Sequence, residues 1–338
     1  MKIIGVEEHF LTSAVRDAWS ASSSAERDFG LGLHLGEIAD RLDDLSDSRI
    51  RLMEASGVDM QVLSLTTPAL HNLDPPQSVD LATRTNDLIA ATVTRRPDRF
   101  EGFATLPTPS PRDAARELER AVVRLGLKGA LLCGRTREKN IDHPDFLPIF
   151  EAAASLHVPL YIHPQIPQQA VRDIYYSGFN EHVDLAFTTF GLGWHYESGI
   201  QFLRLILAGI FDRFPELQII LGHWGEVVLF YTERLSALNR VAKLQRSVAD
   251  YMRQNLYVTP SGMFSQPYLQ RSIEVVGVDR ILFSTDYPYQ YRPESGARNF
   301  LEEAALSNES KQQIAHLNWE RLSSRASLFG GQARASNG

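Results

Sequence analysis

Cysteine is almost absent from this chain, since Cys133 is the only one among 338 residues. An internal disulfide is therefore excluded, and this composition fits a reducing compartment. The first residues, MKIIGVEEHF, contain no long apolar stretch of the kind that forms a secretory signal. Apolar runs long enough to span a membrane are also missing. We therefore expect a cytoplasmic globular protein with no membrane partner.

Positive charge is not in excess either. The net charge is -7, and acidic and basic residues are interspersed, so nothing predicts a nucleic-acid partner. A Gly-rich turn after the first apolar segment is missing as well, which argues against a nucleotide-binding open sheet, the main alternative fold. The stretch GLGLHLG at 30–36 has the wrong spacing and follows no predicted strand, so we interpret it as a loop.

Eight short apolar segments alternate with amphipathic stretches along the chain. Segments this rich in Val, Ile and Leu are typical of parallel strands buried on both faces. Eight such β/α units predict a (β/α)8 TIM barrel, forming one domain over residues 1–329 and leaving a disordered tail at 330–338. The predicted strands are KIIGVEEH (2–9), DMQVLSL (59–65), FEGFATLP (100–107), LKGALLCG (127–134), VPLYIHP (158–164), LQIILGH (217–223), NLYVTPS (255–261) and RILFSTDYP (280–288). Helical spacing is clearest at 48–56, 115–125, 146–156, 202–211 and 226–242.

Two connections are long, residues 10–47 after strand 1 and 165–200 after strand 5. Long connections of this kind usually build the active-site mouth of a barrel, where the carboxyl ends of the strands lie. Ionisable residues are concentrated at four of these strand ends: Glu7, Glu8 and His9 on strand 1, His163 on strand 5, His223 on strand 6 and Asp286 on strand 8. Because side chains alternate along a strand, Glu7 and His9 point the same way, and we interpret Glu8 as structural.

A single histidine or carboxylate at a strand end is more often a core or turn residue than a ligand. Burying several of them unpaired at one end of a barrel is costly, however, and a shared metal ion removes that cost. Glu7, His9, His163 and Asp286 offer two carboxylates and two imidazoles, a set that suits Mn²⁺ or Zn²⁺. The sequence therefore predicts one divalent ion per chain and no organic cofactor.

The chain resembles the amidohydrolase superfamily, in the branch related to aminocarboxymuconate-semialdehyde decarboxylase. Within that branch it is most similar to the γ-resorcylate and 2,3-dihydroxybenzoate decarboxylases. Strand 1 carries Glu-x-His, as in those decarboxylases, where hydrolytic members usually carry His-x-His, and the added negative charge favours Mn²⁺. The motifs that carry the resemblance are EEHF, SGVDMQVLSLT, RFEGFATLP, LKGALL, YIHPQIP, LRLILAGIFDRFPELQIILGHWGE, NLYVTPSG and DRILFSTDYPY.

The resemblance implies a metal-dependent, nonoxidative and reversible decarboxylase of an ortho-hydroxybenzoate. Glu7, His9, His163 and Asp286 match the family's metal ligands. Asp286 would also protonate the ring carbon that bears the carboxylate, and His223, oriented by Glu226, would bond the substrate oxygens. The residues expected to contact the substrate are Arg234, which the resemblance places near the pocket, and the aromatic candidates Phe10, Tyr175, Phe190, Trp194 and Tyr289.

Two other functions stay open at the level of sequence. A metal-dependent hydrolase of a lactone or amide would use Asp286 to deprotonate water, but Glu7 in place of histidine argues against it. A non-catalytic barrel would have no need of the metal-binding set. The expected partner is a small aromatic acid, with an undetermined pattern of ring substituents. We also expect a homodimer or homotetramer, since FLRLILAGIF (202–211) is more apolar than one face of a barrel requires.

Overall fold

Strands alternate with helices throughout the structure, a computed structural model that describes residues 1–22 and 29–325. The predicted tail at 330–338 lies outside the described residues. The first seven predicted strand positions are occupied by β1 (Ile4–Phe10), β2 (Met60–Leu65), β3 in two parts (Phe100–Gly102 and Ala104–Thr105), β4 (Ala130–Cys133), β5 (Leu160–His163), β6 (Ile219–Leu221) and β7 (Leu256–Val258). A small antiparallel pair, Arg135–Thr136 with Lys139–Asn140, follows β4.

The neighbouring strands β1 to β7 all pair in parallel. One sheet contains β1, β2 and the first part of β3, and the other runs from the second part of β3 through β4, β5 and β6 to β7. The sheets meet at Phe103, whose N–H donates to Leu63 O at 2.9 Å, while Ala104 N–H donates to Gly129 O at 2.8 Å. The first part of β3 therefore pairs with β2, and its second part pairs with β4.

The eighth predicted strand, 280–288, is not a regular strand. Single bridges join Ile281 to Val258 of β7 and Tyr287 to Glu8 of β1. Backbone bonds also connect Val6 N–H to Phe283 O at 2.9 Å and His9 N–H to Tyr287 O at 2.7 Å. The segment thus lies between β7 and β1, at the position of the eighth strand of the predicted (β/α)8 barrel. A regular ladder is interrupted because Asp286 has φ 56, outside the extended region.

Helices follow the strands, and the predictions at 48–56, 115–125 and 146–156 are confirmed. The prediction at 202–211 is correct for its first part, since one helix ends at Leu207 and another begins at Ile210 after Gly209, which has φ 72. The prediction at 226–242 is wrong, because that stretch is divided into short separate pieces. None of the described helices is both long and apolar enough to cross a membrane. The α-helices are Ser13–Ala21, Glu37–Asp43, Asp47–Ser56, Pro75–Arg95, Pro111–Val123, Leu147–Ser155, Gln169–Tyr175, Glu181–Thr188, Gly193–Leu207, Ile210–Arg213, Thr232–Leu235, Leu238–Val241, Val248–Asn255, Gln266–Val276, Gly296–Glu302, Asn308–Gln312 and Asn318–Ser323, with one further turn at His223–Glu226.

The interior of the barrel is apolar in one layer and polar in the next. An inner cluster takes side chains from most of the strands, among them Val6, Val62, Phe103 and Tyr161, and Trp319 packs against it. Glu7 and His9 of β1 belong to the polar layer. The pairing of β1 with β2 shifts register between Gly5 and Glu8, and such a bulge re-aims the side chains that follow it. The apolar layer therefore supports the polar one, which holds the candidate site.

Candidate metal centre and active-site cavity

Four predicted metal ligands converge in the polar layer. Glu7 and His9 come from β1, His163 from the end of β5 and Asp286 from the eighth segment, and all four are buried. Each offers one ligand atom, and these atoms lie within 4.8 Å of one another. Nε2 of His9 lies 3.4 Å from Oδ1 of Asp286, and Nε2 of His163 lies 3.6 Å from Oε1 of Glu7. The side chains therefore surround one common point.

The two carboxylate oxygens of Glu7 have different surroundings. Oε2 accepts from the hydroxyl groups of Ser261, Ser284 at 3.3 Å and Thr259 at 3.5 Å. Oε1 is buried and has no hydrogen-bond partner within 1–22 and 29–325. Leaving a buried carboxylate oxygen unpaired is costly, whereas a cation at the common point would satisfy it. The hydroxyl groups thus fix Glu7 in the orientation that a metal ligand needs.

The two histidines present their Nε2 atoms to the same point. Nδ1 of His163 donates to the carbonyl oxygen of Pro164 at 2.9 Å, which leaves the lone pair on Nε2. Nδ1 of His9 lies 3.1 Å from Ser64 Oγ, and its Nε2 has no hydrogen-bond partner among the described residues. Burial lowers the pKa of His9 to about 4 and that of His163 to about 3, so both rings are neutral near pH 7. Neutral imidazoles and carboxylates form a donor set that fits a divalent ion.

Asp286 is the fourth candidate ligand and the predicted acid. Burial raises its pKa to about 7, against the opposing effect of His223. The backbone beside it is held by Glu8, whose carboxylate accepts from Thr285 N–H at 2.8 Å and from Thr285 Oγ1 at 2.5 Å. Glu8 also accepts from Gln61 at 3.1 Å. Glu8 lies outside the ligand set, as predicted, and it positions Asp286 through the neighbouring residue.

His223 stands beside the metal centre on a turn of left-handed backbone. Residues 223–227 all have positive φ, including Val227 at 66, which is unusual for a β-branched residue. The turn brings Oε1 of Glu226 to 2.7 Å from Nδ1 of His223. Burial disfavours the charge on His223, but the Glu226 carboxylate outweighs it and raises the pKa of His223 well above its usual value. Glu226 thus holds the His223 ring in one orientation and favours its positive charge.

His195 is a site residue that the sequence did not reveal. Its Nδ1 lies 2.8 Å from Oε2 of Glu226, and its ring centre lies 4.7 Å from that of His223. It belongs to the helix Gly193–Leu207, which begins within the long connection after β5. That part of the chain contains a second histidine, His182, whose side chain is 89% exposed. Sequence alone offers no signal that separates the two.

A cavity of about 620 Å³ opens from this centre. No lysine or arginine is found among its lining residues in the part of the chain that the structure describes. Both long connections contribute to its walls. The lining residues are Leu33, Ile38, Thr67, His163, Phe190, Gly191, Leu192, Trp194, His195, His223, Ser261, Met263, Tyr268, Asp286, Tyr289 and Gln290.

Three of the six predicted substrate contacts reach this cavity: Phe190, Trp194 and Tyr289. The other three need correction, since they lie elsewhere in the single chain. Phe10 is fully buried in the outer apolar core, because alternation along β1 turns it to the same side as Glu8. Tyr175 is 69% exposed on a short helix. Arg234 is exposed on Thr232–Leu235, a short separate helix where a single long helix was expected.

Comparisons with known proteins agree with this geometry. The family model described as Amidohydrolase matches residues 30–322. The γ-resorcylate decarboxylase of Polaromonas sp. (strain JS666) is 35% identical over 333 residues, which cover 94% of this chain and 97% of that protein.

Solved structures agree as well. The crystal structure of a 2,6-dihydroxybenzoate decarboxylase complexed with 2,6-dihydroxybenzoate has a TM-score of 0.83 at 31% identity and covers 96% of this chain and 99% of that one. A 5-carboxyvanillate decarboxylase of Novosphingobium aromaticivorans, complexed with manganese and 4-hydroxy-3-methoxy-5-nitrobenzoic acid, has a TM-score of 0.88 at 30% identity and covers 95% and 96% of the two chains. By its fold, its metal-binding set and these matches, the chain belongs to the amidohydrolase family.

Proposed function

We propose that this protein is a metal-dependent, nonoxidative decarboxylase that releases CO₂ from an ortho-hydroxybenzoate. The observation that carries the proposal is the convergence of Glu7, His9, His163 and Asp286 at the inner end of a cavity large enough for a substituted benzene ring. The relatives named γ-resorcylate and 2,6-dihydroxybenzoate decarboxylase support this reaction class. The predicted non-catalytic barrel has no need of such a centre.

The chemistry requires an acid beside the ring. When bound, a divalent ion at the four ligands would attract the carboxylate and ortho-hydroxyl oxygens of the substrate and neutralise their charge. Burial raises the pKa of Asp286 to about 7 before metal binds. Asp286 takes up the proton that the substrate's ortho-hydroxyl group gives up on binding, and passes it to the ring carbon that bears the carboxylate. The C–C bond then breaks, its electron pair restores the aromatic ring, and CO₂ leaves. His223 donates to substrate oxygens while Glu226 holds it in place.

The walls of the cavity suggest which substituents the ring carries. Its lining residues include Leu33, Ile38, Leu192 and Met263 together with aromatic side chains, and no lysine or arginine is among them within the described ranges. A second carboxylate on the ring would therefore be buried without a lysine or arginine partner, which is costly. We accordingly propose a monocarboxylate whose other substituents are uncharged, such as hydroxyl or alkyl groups.

A panel of substrates tests this proposal. The manganese-loaded protein should remove CO₂ from at least one of salicylate, 2,3-dihydroxybenzoate and 2,6-dihydroxybenzoate, as measured by ultraviolet loss of the acid, and should act poorly on 5-carboxyvanillate. In D₂O, one deuterium should appear on the carbon that held the carboxylate. If no hydroxybenzoate is consumed while a lactone is opened, the protein is a hydrolase instead.

We also propose that the protein works as a homodimer or homotetramer. Support comes from exposed aromatic side chains near the mouth of the cavity, where Tyr196 lies beside Tyr231 and Phe230 contacts Tyr268 at 5.4 Å between ring centres. All four side chains are at least 37% exposed. Exposed apolar patches of this kind commonly mark contacts between subunits.

A further inference from the structure

His195 makes two polar contacts, and both partners are hydrogen-bond acceptors. Its Nδ1 lies 2.8 Å from the Glu226 carboxylate, and its Nε2 lies 3.1 Å from the carbonyl oxygen of Phe190. A carbonyl oxygen cannot donate, and an ionised carboxylate cannot donate either. Only an imidazole ring with a proton on both nitrogens satisfies both contacts. The surroundings of His195 therefore select its doubly protonated, positively charged form.

Glu226 is shared between two imidazole rings as a result. Its Oε1 faces Nδ1 of His223 at 2.7 Å, and its Oε2 faces Nδ1 of His195. The carboxylate is fully buried, and its pKa is kept low, because the positive charges of the two histidines outweigh the effect of burial. With both oxygens bonded, Glu226 cannot rotate away from His223. The Nε2 atom of His223 then remains available to the cavity that both rings line.

The charge of the His195 and His223 rings matters because lysine and arginine are missing from the described cavity walls. No lysine or arginine lines the cavity within the described part of the chain, so the two imidazole rings are its main positive charges besides a bound metal ion. The single carboxylate of Glu226 balances one of the two. Glu226 lies behind the two rings, and among the described residues Asp286 is the one acidic residue in the lining. The pair of rings thus leaves positive charge on the side of the cavity where an anionic substrate must bind.

We propose that His195 is a positioning residue of the active site, which locks Glu226 from the side opposite His223 and supplies a second positive charge for the aromatic carboxylate. This inference rests on the proposed decarboxylase function. His195 acts through Glu226 and His223, so its removal should affect the chemical step and the binding of anions more than the binding of neutral phenols.

Three variants test the role. His195→Phe removes both donors, and His195→Gln keeps one neutral donor toward Glu226. His182→Phe is the matched control, since that histidine is exposed in the neighbouring helix Glu181–Thr188. We expect His195→Phe to lower kcat about 10–100-fold, a typical loss for such supporting residues, with His195→Gln recovering part of it and His182→Phe unchanged. The loss of binding affinity in His195→Phe should be greater for the acid that the enzyme decarboxylates than for its phenol product.

A spectroscopic measurement makes the test independent of turnover. In protein labelled with ¹⁵N-histidine, the ring nitrogens of His195 should give imidazolium signals near pH 7, identified by their loss in His195→Gln. A neutral His195, or an unchanged kcat in a folded His195→Phe that retains its metal, would overturn the inference while leaving the decarboxylase intact. If the unmodified protein decarboxylates nothing in the panel, the proposed function itself fails, and the ¹⁵N signals still decide the geometry. If His195→Phe does not fold, the His195→Gln kinetics and these signals decide the question.

Discussion

At the scale of single residues, Asp286 combines two demands that usually conflict. A metal ligand has to give up its proton, whereas a general acid has to hold one. Burial raises the pKa of Asp286 to about 7. The neighbouring Glu7 carboxylate is held in place by hydroxyl donors and not by a proton on Asp286. Asp286 is therefore poised to exchange a proton near neutral pH, and Glu7 is suited to stay a ligand.

Replacing Asp286 with asparagine should separate the two roles. An amide oxygen can still bind a metal ion, so Asp286→Asn should retain part of its metal by elemental analysis. It cannot donate a proton in the way a carboxylic acid does, so decarboxylation should fall by about 10³-fold or more, since a positioned acid typically supplies about 10²–10⁴. An Asp286→Asn protein that keeps its metal and its full rate would show that another group protonates the ring.

Metal binding should release a proton in a way that depends on pH. Without metal, Asp286 with a pKa of about 7 is mostly protonated at pH 6 and mostly ionised at pH 8. Since His9 and His163 are neutral at both values, binding of Mn²⁺ should release close to one proton at pH 6 and few at pH 8. Affinity should accordingly rise with pH up to about 7 and then level. Calorimetry in buffers of different ionisation enthalpy measures this release, and equal release at the two pH values would contradict the assignment.

The four candidate metal ligands could be predicted from the sequence because their positions depend on two regular features. Alternation along a strand places Glu7 and His9 on one side, and the barrel brings the ends of its strands together. The same alternation places Phe10 on the side of Glu8, away from the cavity. Applied to Phe10, it would have ruled out the predicted substrate contact. His195 was not accessible, because its contact with Glu226 depends on how the long connection after β5 folds.

At the scale of secondary-structure elements, the left-handed turn after β6 is the feature that local sequence did not predict. The stretch 226–242 has helical spacing, yet residues 223–227 all have positive φ and a continuous helix cannot start there. The turn is stabilised by tertiary contacts, including the bond from His223 N–H to Ser261 Oγ at 2.9 Å. Strand positions, by contrast, were predicted well, because continuous apolar runs between helices depend little on such contacts.

Gly225→Ala should be damaging because of both backbone and space. Its φ is 80, and an added Cβ would lie 2.9 Å from Leu229 Cγ and 3.2 Å from Val258 Cγ1. Left-handed backbone costs a non-glycine residue about 1–2 kcal/mol, and overpacking adds about 1–3 kcal/mol. The displaced turn should also carry Glu226 away from His223 and lower kcat. Urea unfolding and steady-state kinetics measure the two effects.

Gly209→Ala is the matched control for this substitution. Gly209 has a similar φ of 72, but an added Cβ would meet nothing within 4 Å. It should therefore lose only the backbone contribution to the free energy of unfolding and keep full activity. If the two variants are equally stable and equally active, the packing around the turn does not position Glu226.

At the scale of the whole molecule, the apolar segment at 202–211 turned out to serve mainly the core. Phe202, Leu205, Ile206 and Phe211 are buried between the barrel and its neighbours, so the reason first given for an oligomer is largely removed. The opposite face of the helix Gly193–Leu207 gives a better reason to expect an oligomer. Tyr196, Ile200 and Leu207 are spaced by about one or two turns and are each 39–49% exposed.

This exposed face joins the aromatic patch at the cavity mouth, because Tyr196 lies beside Tyr231. A second copy of the chain could bury both at once, so light scattering at micromolar concentration should give a dimer or tetramer. Ile200→Glu should shift the protein toward monomers, because it places a charge in the centre of the contact. Val123→Glu, at a 51% exposed apolar residue on the separate helix Pro111–Val123, should leave the assembly unchanged. A monomeric unmodified protein, or equal effects of the two variants, would exclude this face as the interface.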